Sequence, residues 1–265
     1  MTSQEHPPSG ESAAPASNDE LINPDVPPAP DHLPEVDPDI NAGLVRPPAG
    51  DEANHRTVVH LLRHGEVHNP QGIFYGRLPG FRLSDLGHRM AERAAGFFAT
   101  RDVVLVIASP MERAQQTAEP VAQAHHLEVG TDPRITEGTS VFQGLTFGVG
   151  DGSLKHPQHW WHLRNPFRPS WGEPYEQVAA RMLAGAADAR DKAVGHEAVL
   201  VSHQLPVWMA RLKVENRRLW HDPRKRECSL ASVTSITYHD DRVVSVAYTE
   251  PSRDLLPGAQ KIAGA

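Results

Sequence analysis

Thr57-Val58-Val59-His60-Leu61-Leu62-Arg63-His64-Gly65-Glu66 is an apolar run that closes in a cation, an imidazole and a glycine. Six residues rich in β-branched and aliphatic side chains read as a buried strand. Gly65 then permits a sharp turn where a Cβ would clash. The carboxyl end of a buried strand in an α/β sheet is where ligands sit. Arg63 and His64 are therefore expected to face a crevice from a rigid floor. Taken alone, Arg-His-Gly better describes a strand that ends in two solvated polar residues; two later strands with polar ends reverse that balance.

The second such strand is Val103-Val104-Leu105-Val106-Ile107-Ala108, which runs into Ser109-Pro110-Met111-Glu112-Arg113. Ser109 reads as a helix N-cap, Pro110 as the first helical residue and Glu112 as the partner in a capping box. The free N–H groups of such a helix start favour an anion, and Arg113 lies in its first turn. The third strand, Ala198-Val199-Leu200-Val201, ends at Ser202-His203. Between these elements Ser84 caps a helix with Leu86, Met90, Ala94, Phe97 and Phe98 on its core face, and a short strand lies around Leu127-Glu128-Val129. Further helices are expected from about Pro174 to Ala193 and from Leu205 to Lys213. A hairpin over Leu230–Tyr238 and Val243–Tyr248 follows. Strands alternating with helices predict an α/β fold whose mostly parallel sheet is covered on both faces. In one sheet, the three polar strand ends converge.

The charge is unevenly spread. Of 33 acidic side chains, 11 lie in residues 1–54 against the single basic Arg46, and those residues also hold 11 of the 24 prolines and no aromatic residue. Such a segment cannot bury enough apolar surface to offset its ordering entropy, so residues 1–54 are expected to be disordered. The chain start lacks the basic and apolar regions of a signal peptide, and no apolar run reaches membrane-spanning length. The rest is close to electroneutral, which gives no electrostatic case for nucleic-acid binding. The single cysteine, Cys228, excludes an intrachain disulfide and reads as a small core residue. A cytoplasmic protein with no membrane partner is the expectation. One domain over 55–250 and a loosely ordered tail over 251–265 complete the expected organisation.

Two arginines, two histidines and a helix amino terminus suit a compact dianion, and the guanidinium fork matches phosphate oxygens. A histidine without a metal can attack phosphorus through one ring nitrogen, which splits the reaction into two displacements. Positive groups stabilise the charge in flight. A carboxylic acid must protonate the leaving oxygen. By sequence order Glu137 is placed for this. The alternatives for Glu137 are a solvated loop carboxylate or a salt-bridge partner for Arg134.

These pieces resemble the histidine phosphatase superfamily, also called phosphoglycerate mutase-like. The matching segments are Leu61 to Glu66, Gly76, Leu83 to Gly87, Ser109 to Ala118, Ile135-Thr136-Glu137, Gly172-Glu173 and Val201-Ser202-His203. The resemblance implies a three-layer αβα sandwich, no cofactor and no metal, and a small phosphorylated substrate. It makes His64 the phosphoryl acceptor and Glu137 the proton donor. Arg63, Arg113 and His203 would form the phosphoryl pocket. Asn69 and Arg77, on the loop after the first strand, are candidate substrate-binding residues. The match departs from the family in two places. Asn69 stands five residues after His64, where many members have an asparagine at six. After Glu137 the chain reads Gly138-Thr139-Ser140-Val141-Phe142-Gln143-Gly144, without the basic and aromatic groups that hold a carboxylate in cofactor-dependent mutases. A metal-independent phosphomonoester hydrolase is the expected activity. A cofactor-dependent phosphoglycerate mutase and a catalytically silent phosphate-ligand binding protein are the alternatives.

Two other clusters carry no assigned role. Trp160 to Trp171 mixes aromatic and basic residues and reads either as part of a substrate lid or as a satellite core. Arg217-Arg218 and Arg224-Lys225-Arg226 read as a solvated basic face, the alternative being a patch for an acidic ligand or for the acidic N-terminal segment.

Overall fold

The apolar run that ends at Arg63 is strand β1, Arg56–Arg63, and it lies inside a six-stranded sheet. A computed structural model describes residues 56–145 and 172–259. The acidic segment 1–54 and the cluster Trp160–Trp171 lie outside the described residues.

In chain order β1 is followed by α1 (Asp85–Phe98), β2 (Val103–Ala108), α2 (Glu112–Ala124) and β3 (Val129–Thr131). Then come α3 (Tyr175–Lys192), β4 (Glu197–Ser202), α4 (Gln204–Val214), β5 (Val233–His239) and β6 (Arg242–Thr249). The sheet order is β3-β2-β4-β1-β5-β6. β1 and β2 both pair β4 in parallel, β3 pairs β2 in parallel, and the β5–β6 hairpin joins β1 antiparallel. The mostly parallel α/β sheet expected from the alternating elements is what forms.

Both faces of the central strands are apolar, as a doubly covered sheet requires. Val59 and Leu61 of β1 and Leu200 of β4 point to one layer and pack with Met182 and Leu183 of α3 and Val207 and Ala210 of α4. Leu62, Val199 and Val201 point the other way, onto Ala94 and Phe98 of α1 and Ala114 and Ala118 of α2. The period of two along each strand thus divides one apolar run between two cores. His60 lies among these side chains. It is fully buried, its ring meets Phe98 edge-on at 5.1 Å, and its nitrogens lie 2.8 Å from Ser235 Oγ and 2.9 Å from Glu197 Oε2.

Ser84 caps α1 as expected: its Oγ accepts from Gly87 N at 3.0 Å and donates to the Glu66 carboxylate. Backbone also meets backbone here. A Cβ on Gly87 would come within 2.0 Å of Glu66 O, and one on Gly65 within 2.6 Å of Gly87 O. The start of α1 therefore seats directly on the turn after His64.

α2 departs from its sequence expectation. It begins at Glu112 with Met111 as N-cap and no side-chain cap bond. Ser109 Oγ lies instead 2.8 Å from His203 Nε2, and Glu112 accepts from Gly80 N at 2.6 Å. Tertiary partners engage both halves of the expected capping box, and Ser109 Oγ keeps one long local bond, accepting from Met111 N at 3.4 Å. Residues 252–258 also differ from a loose tail. Arg253–Gly258 forms a 3-10 helix, and buried Ser252 donates to Met90 O at 3.1 Å.

Candidate active site

The ends of β2, β4 and β1 lie side by side with β4 in the middle. Two backbone bonds carry the ladder one residue past the strands: His64 N donates to Ser202 O at 3.0 Å, and Ser109 N to Val201 O at 2.9 Å. His64, Ser109 and His203 therefore leave the sheet at one level. The rings of His64 and His203 meet edge to face with centroids 5.1 Å apart, and both are buried.

His64 Nδ1 lies 2.7 Å from Gly65 O. A carbonyl only accepts, so Nδ1 carries the proton and Nε2 keeps its lone pair. Nε2 is buried and has no hydrogen-bond partner. Burial first, and then the Arg113 and Arg63 guanidiniums, hold His64 well below the ordinary histidine range. Burial and Arg113 do the same to His203, whose Nδ1 also lacks a partner. Both rings are neutral near pH 7.

Arg63 follows from the same strand and donates through Nη1 to Cys228 O at 2.6 Å. Arg113, on the first turn of α2, is 1% exposed and donates through Nη2 to Gly76 O at 2.7 Å. Its guanidinium stands 4.7 Å above the centre of the Tyr75 ring, and its Nε is buried without a hydrogen-bond partner. Thr117, one turn along α2, accepts from Gly65 N at 3.1 Å and donates to Arg113 O at 2.7 Å. One hydroxyl ties the turn after His64 to the helix that carries the second arginine.

Glu137 is half-buried, and its Oε1 accepts from Gly138 N at 2.7 Å. It is no partner of Arg134, which is held by Asp132 at 2.8 Å and Asp188 at 2.6 Å. The Glu137 charge acts on Arg113 and Tyr75 across the crevice. Its main chain is fixed by two arginines: Arg77 Nε donates to Glu137 O at 2.6 Å, and Arg181 Nη2 at 3.3 Å. Arg181 also donates to Arg134 O at 2.6 Å and Thr136 O at 2.5 Å. Both arginines end on Glu173, which receives Arg181 through two oxygens at 2.7 and 2.9 Å and Arg77 at 3.2 Å. Ser202 Oγ donates to Ile135 O at 2.6 Å and so moors the same loop to β4.

Five residues singled out in the sequence thus gather here: Arg63, His64, Arg113, Glu137 and His203. The two loop candidates are engaged in holding backbone. Asn69 is buried, with Nδ2 donating to Ile73 O at 2.7 Å and Oδ1 accepting from Ile73 N at 3.1 Å, so its amide closes the loop. Arg77 braces the Glu137 loop. Thr117, Tyr75 and Arg181 were not picked out as site residues. The available signal was an arginine, Arg181, set beside the apolar positions Val178 and Met182 on the core face of α3.

The model of the histidine phosphatase superfamily (branch 1) matches residues 59–251. An uncharacterised protein of Mycobacterium tuberculosis (strain ATCC 25618 / H37Rv), Rv0525, is 57% identical over 196 residues, 74% of this chain and 97% of that protein. Glucosyl-3-phosphoglycerate phosphatase of the same strain is 31% identical over 157 residues, 54% of this chain and 68% of that enzyme. The native structure of mycobacterial glucosyl-3-phosphoglycerate phosphatase superposes with a TM-score of 0.59 at 24% identity, covering 74% of this chain and 98% of that one. That last likeness shows a shared fold.

Proposed function

From the premise that this chain belongs to the histidine phosphatase superfamily, branch 1, we propose that it hydrolyses small phosphomonoesters through a phosphohistidine formed on His64. The observation that carries this reading is the bond between His64 Nδ1 and Gly65 O, 2.7 Å, which leaves Nε2 unprotonated in a buried pocket beside two arginines. A neutral imidazole with a fixed tautomer is a nucleophile at neutral pH.

In the first displacement Nε2 attacks phosphorus in line, the P–N bond forms and the bond to the leaving oxygen breaks. Arg63 and Arg113 take the charge on the equatorial oxygens, which is the part a metal plays in other phosphoryl transfers. With Ser109 Oγ donating to Nε2 of His203, the Nδ1–H of that ring is a further donor to the same oxygens. Glu137 gives its proton to the leaving oxygen. In the second displacement Glu137, now a carboxylate, takes a proton from water as the water oxygen attacks phosphorus. The P–N bond breaks, inorganic phosphate departs and His64 is restored.

Hydrolysis is favoured over a mutase reaction by residues 138–144. Gly138 packs on Leu205, Phe142 is buried and the Gln143 side chain accepts from Arg77 N at 2.7 Å, so this segment offers no cation to a phosphoglycerate carboxylate. A silent binding protein would need neither the nucleophile nor the acid. The 31% identical relative, named as a glucosyl-3-phosphoglycerate phosphatase, supports a small-molecule substrate. The single, buried cysteine supports a reducing, cytoplasmic setting.

The test is phosphate release from p-nitrophenyl phosphate and a panel of metabolite phosphates by wild type and His64→Ala, each with and without EDTA. Release by wild type that survives EDTA and is absent from H64A is expected. Turnover retained by H64A, or lost in EDTA and restored by a divalent ion, contradicts the reading.

A further inference from the structure

Arg226 is set apart from the other arginines around the Glu137 loop by what it pairs with. Arg77 and Arg181 end on Glu173, and Arg134 on Asp132 and Asp188. Among the described residues Arg226 meets neutral acceptors alone: its Nε donates to His221 Nε2 at 2.8 Å and its Nη1 to Gln204 Oε1 at 3.2 Å. His221 is committed to this arrangement. Its Nδ1–H donates to Leu219 O at 2.6 Å, which leaves Nε2 as an acceptor, and its ring sits between Tyr175 at 5.6 Å and Trp208 at 6.0 Å. An arginine carries five N–H groups, and these two bonds engage two of them. Among the described residues no carboxylate pairs with it.

Its place is equally specific. Gln204 directly follows His203, and its Nε2 reaches Cys228 O, the carbonyl that also accepts from Arg63. Arg226 thus lies one side chain away from the phosphoryl pocket. Leu205, next to Gln204, packs on Gly138, and the His221 ring lies against Tyr175, two residues from the Glu173 that anchors the Glu137 loop, so Arg226 lies on the Glu137 side of the pocket. Arg226 is half-buried, and a cation drawn part-way out of water among neutral groups costs free energy unless an anion completes it.

We propose that Arg226, braced by Gln204 and His221, is the specificity-determining cation for a second anionic group on the leaving-group side of the substrate. The substrate class is then a small phosphomonoester that carries a carboxylate or a further phosphate. This rests on the hydrolase reading above for which side the leaving group occupies.

Two matched pairs of probes test it. 3-Phosphoglycerate and glycerol 3-phosphate share a three-carbon chain and differ in a carboxylate against a hydroxymethyl group. Fructose 1,6-bisphosphate against fructose 6-phosphate asks the same of a second phosphate. Each is measured as a substrate of the full chain as wild type, Arg226→Met and Arg226→Lys, and as a ligand of His64→Ala by calorimetry. Wild type is expected to favour the doubly anionic member of at least one pair about tenfold or more in kcat/KM, a ratio set in KM. R226M should bring that ratio close to one, and R226K should recover part of it. Equal preference in wild type for both members of both pairs overturns the proposal, as does a loss in R226M that is the same for both members. If no phosphomonoester turns over, the hydrolase reading falls, and the affinity ratio on H64A still decides the subsite: a preference for the doubly anionic member supports it and equal affinity overturns it.

Discussion

His64 donates its Nδ1 proton to the carbonyl of its chain neighbour Gly65, at 2.7 Å. The bond fixes the tautomer, and burial with two arginines fixes the charge. Burial and the guanidiniums oppose a second proton, so the ring stays neutral well below the ordinary histidine range. The nucleophile must be neutral, so kcat/KM, which reports the free enzyme, should hold on the acid side. After correction for the substrate's own ionisation near about pH 6, an acid limb below pH 6.5 is expected. An acid limb at or above 6.5 contradicts this reading of the ring.

The same burial has a cost in stability. His60, His64 and His203 all have lowered values in the folded chain. Below about 6.5 the unfolded chain binds protons that the folded chain refuses, so stability falls as pH drops. Each histidine contributes at most about 1.4 kcal/mol per pH unit to that slope. Urea unfolding should show a midpoint that declines from pH 7 to pH 5, and a level or rising midpoint over that range would contradict the three neutral rings.

Glu137 as the proton donor predicts a dependence on the leaving group. Glu137→Gln keeps the shape and removes the acid. Loss of a general acid costs typically about 10²- to 10⁴-fold, and alkyl phosphates should show it. Nitrophenolate leaves without a proton, so p-nitrophenyl phosphate should lose far less in its first step. An equal loss for both substrates in single-turnover measurements would place Glu137 outside the protonation step.

Arg181, which is buried, and Glu173, which is half-buried, form an ion pair with two parallel bonds, at 2.7 and 2.9 Å, under the loop that carries Glu137. Removing one partner of a fully buried pair costs about 3–5 kcal/mol. Arg77 still meets Glu173 at 3.2 Å, so Arg181→Met should lower stability by less than that. Glu137 should be freed from its register, so kcat falls further than KM rises. Arg181→Lys should rescue little, because an ammonium cannot reproduce the fork over Glu173 and three carbonyls. Full rescue by lysine would show that charge alone suffices.

How much of this could be read beforehand differs from element to element. The strand runs that end at Arg63, Ala108 and Val201 are continuous and apolar, a pattern that doubly buried strands share with few alternatives, and their polar ends meet as expected. Ser84 caps α1 because its local partners are free to accept it. Ser109 has the same local signature, but His203 lies against its hydroxyl, and that contact between residues 94 positions apart leaves no trace in the local sequence. Arg181 is marked in the sequence only by its place beside Val178 and Met182, and Arg226 looks like an ordinary surface arginine until the fold brings Glu173 to the first and, among the described residues, neutral acceptors to the second. Asn69 has the residue type of a phosphate ligand, and its local bonds to Ile73 use both ends of the amide.

The most direct test of the account is capture of the phosphorylated enzyme. Wild type mixed with a chromogenic or radiolabelled phosphomonoester and quenched in alkali within the first turnover should carry one phosphoryl group that is stable in base and labile in acid. Mass spectrometry should map it to the peptide containing His64, and H64A should carry none. An absence of label with turnover intact, or label on a serine, threonine or aspartate, would contradict a phosphohistidine on His64.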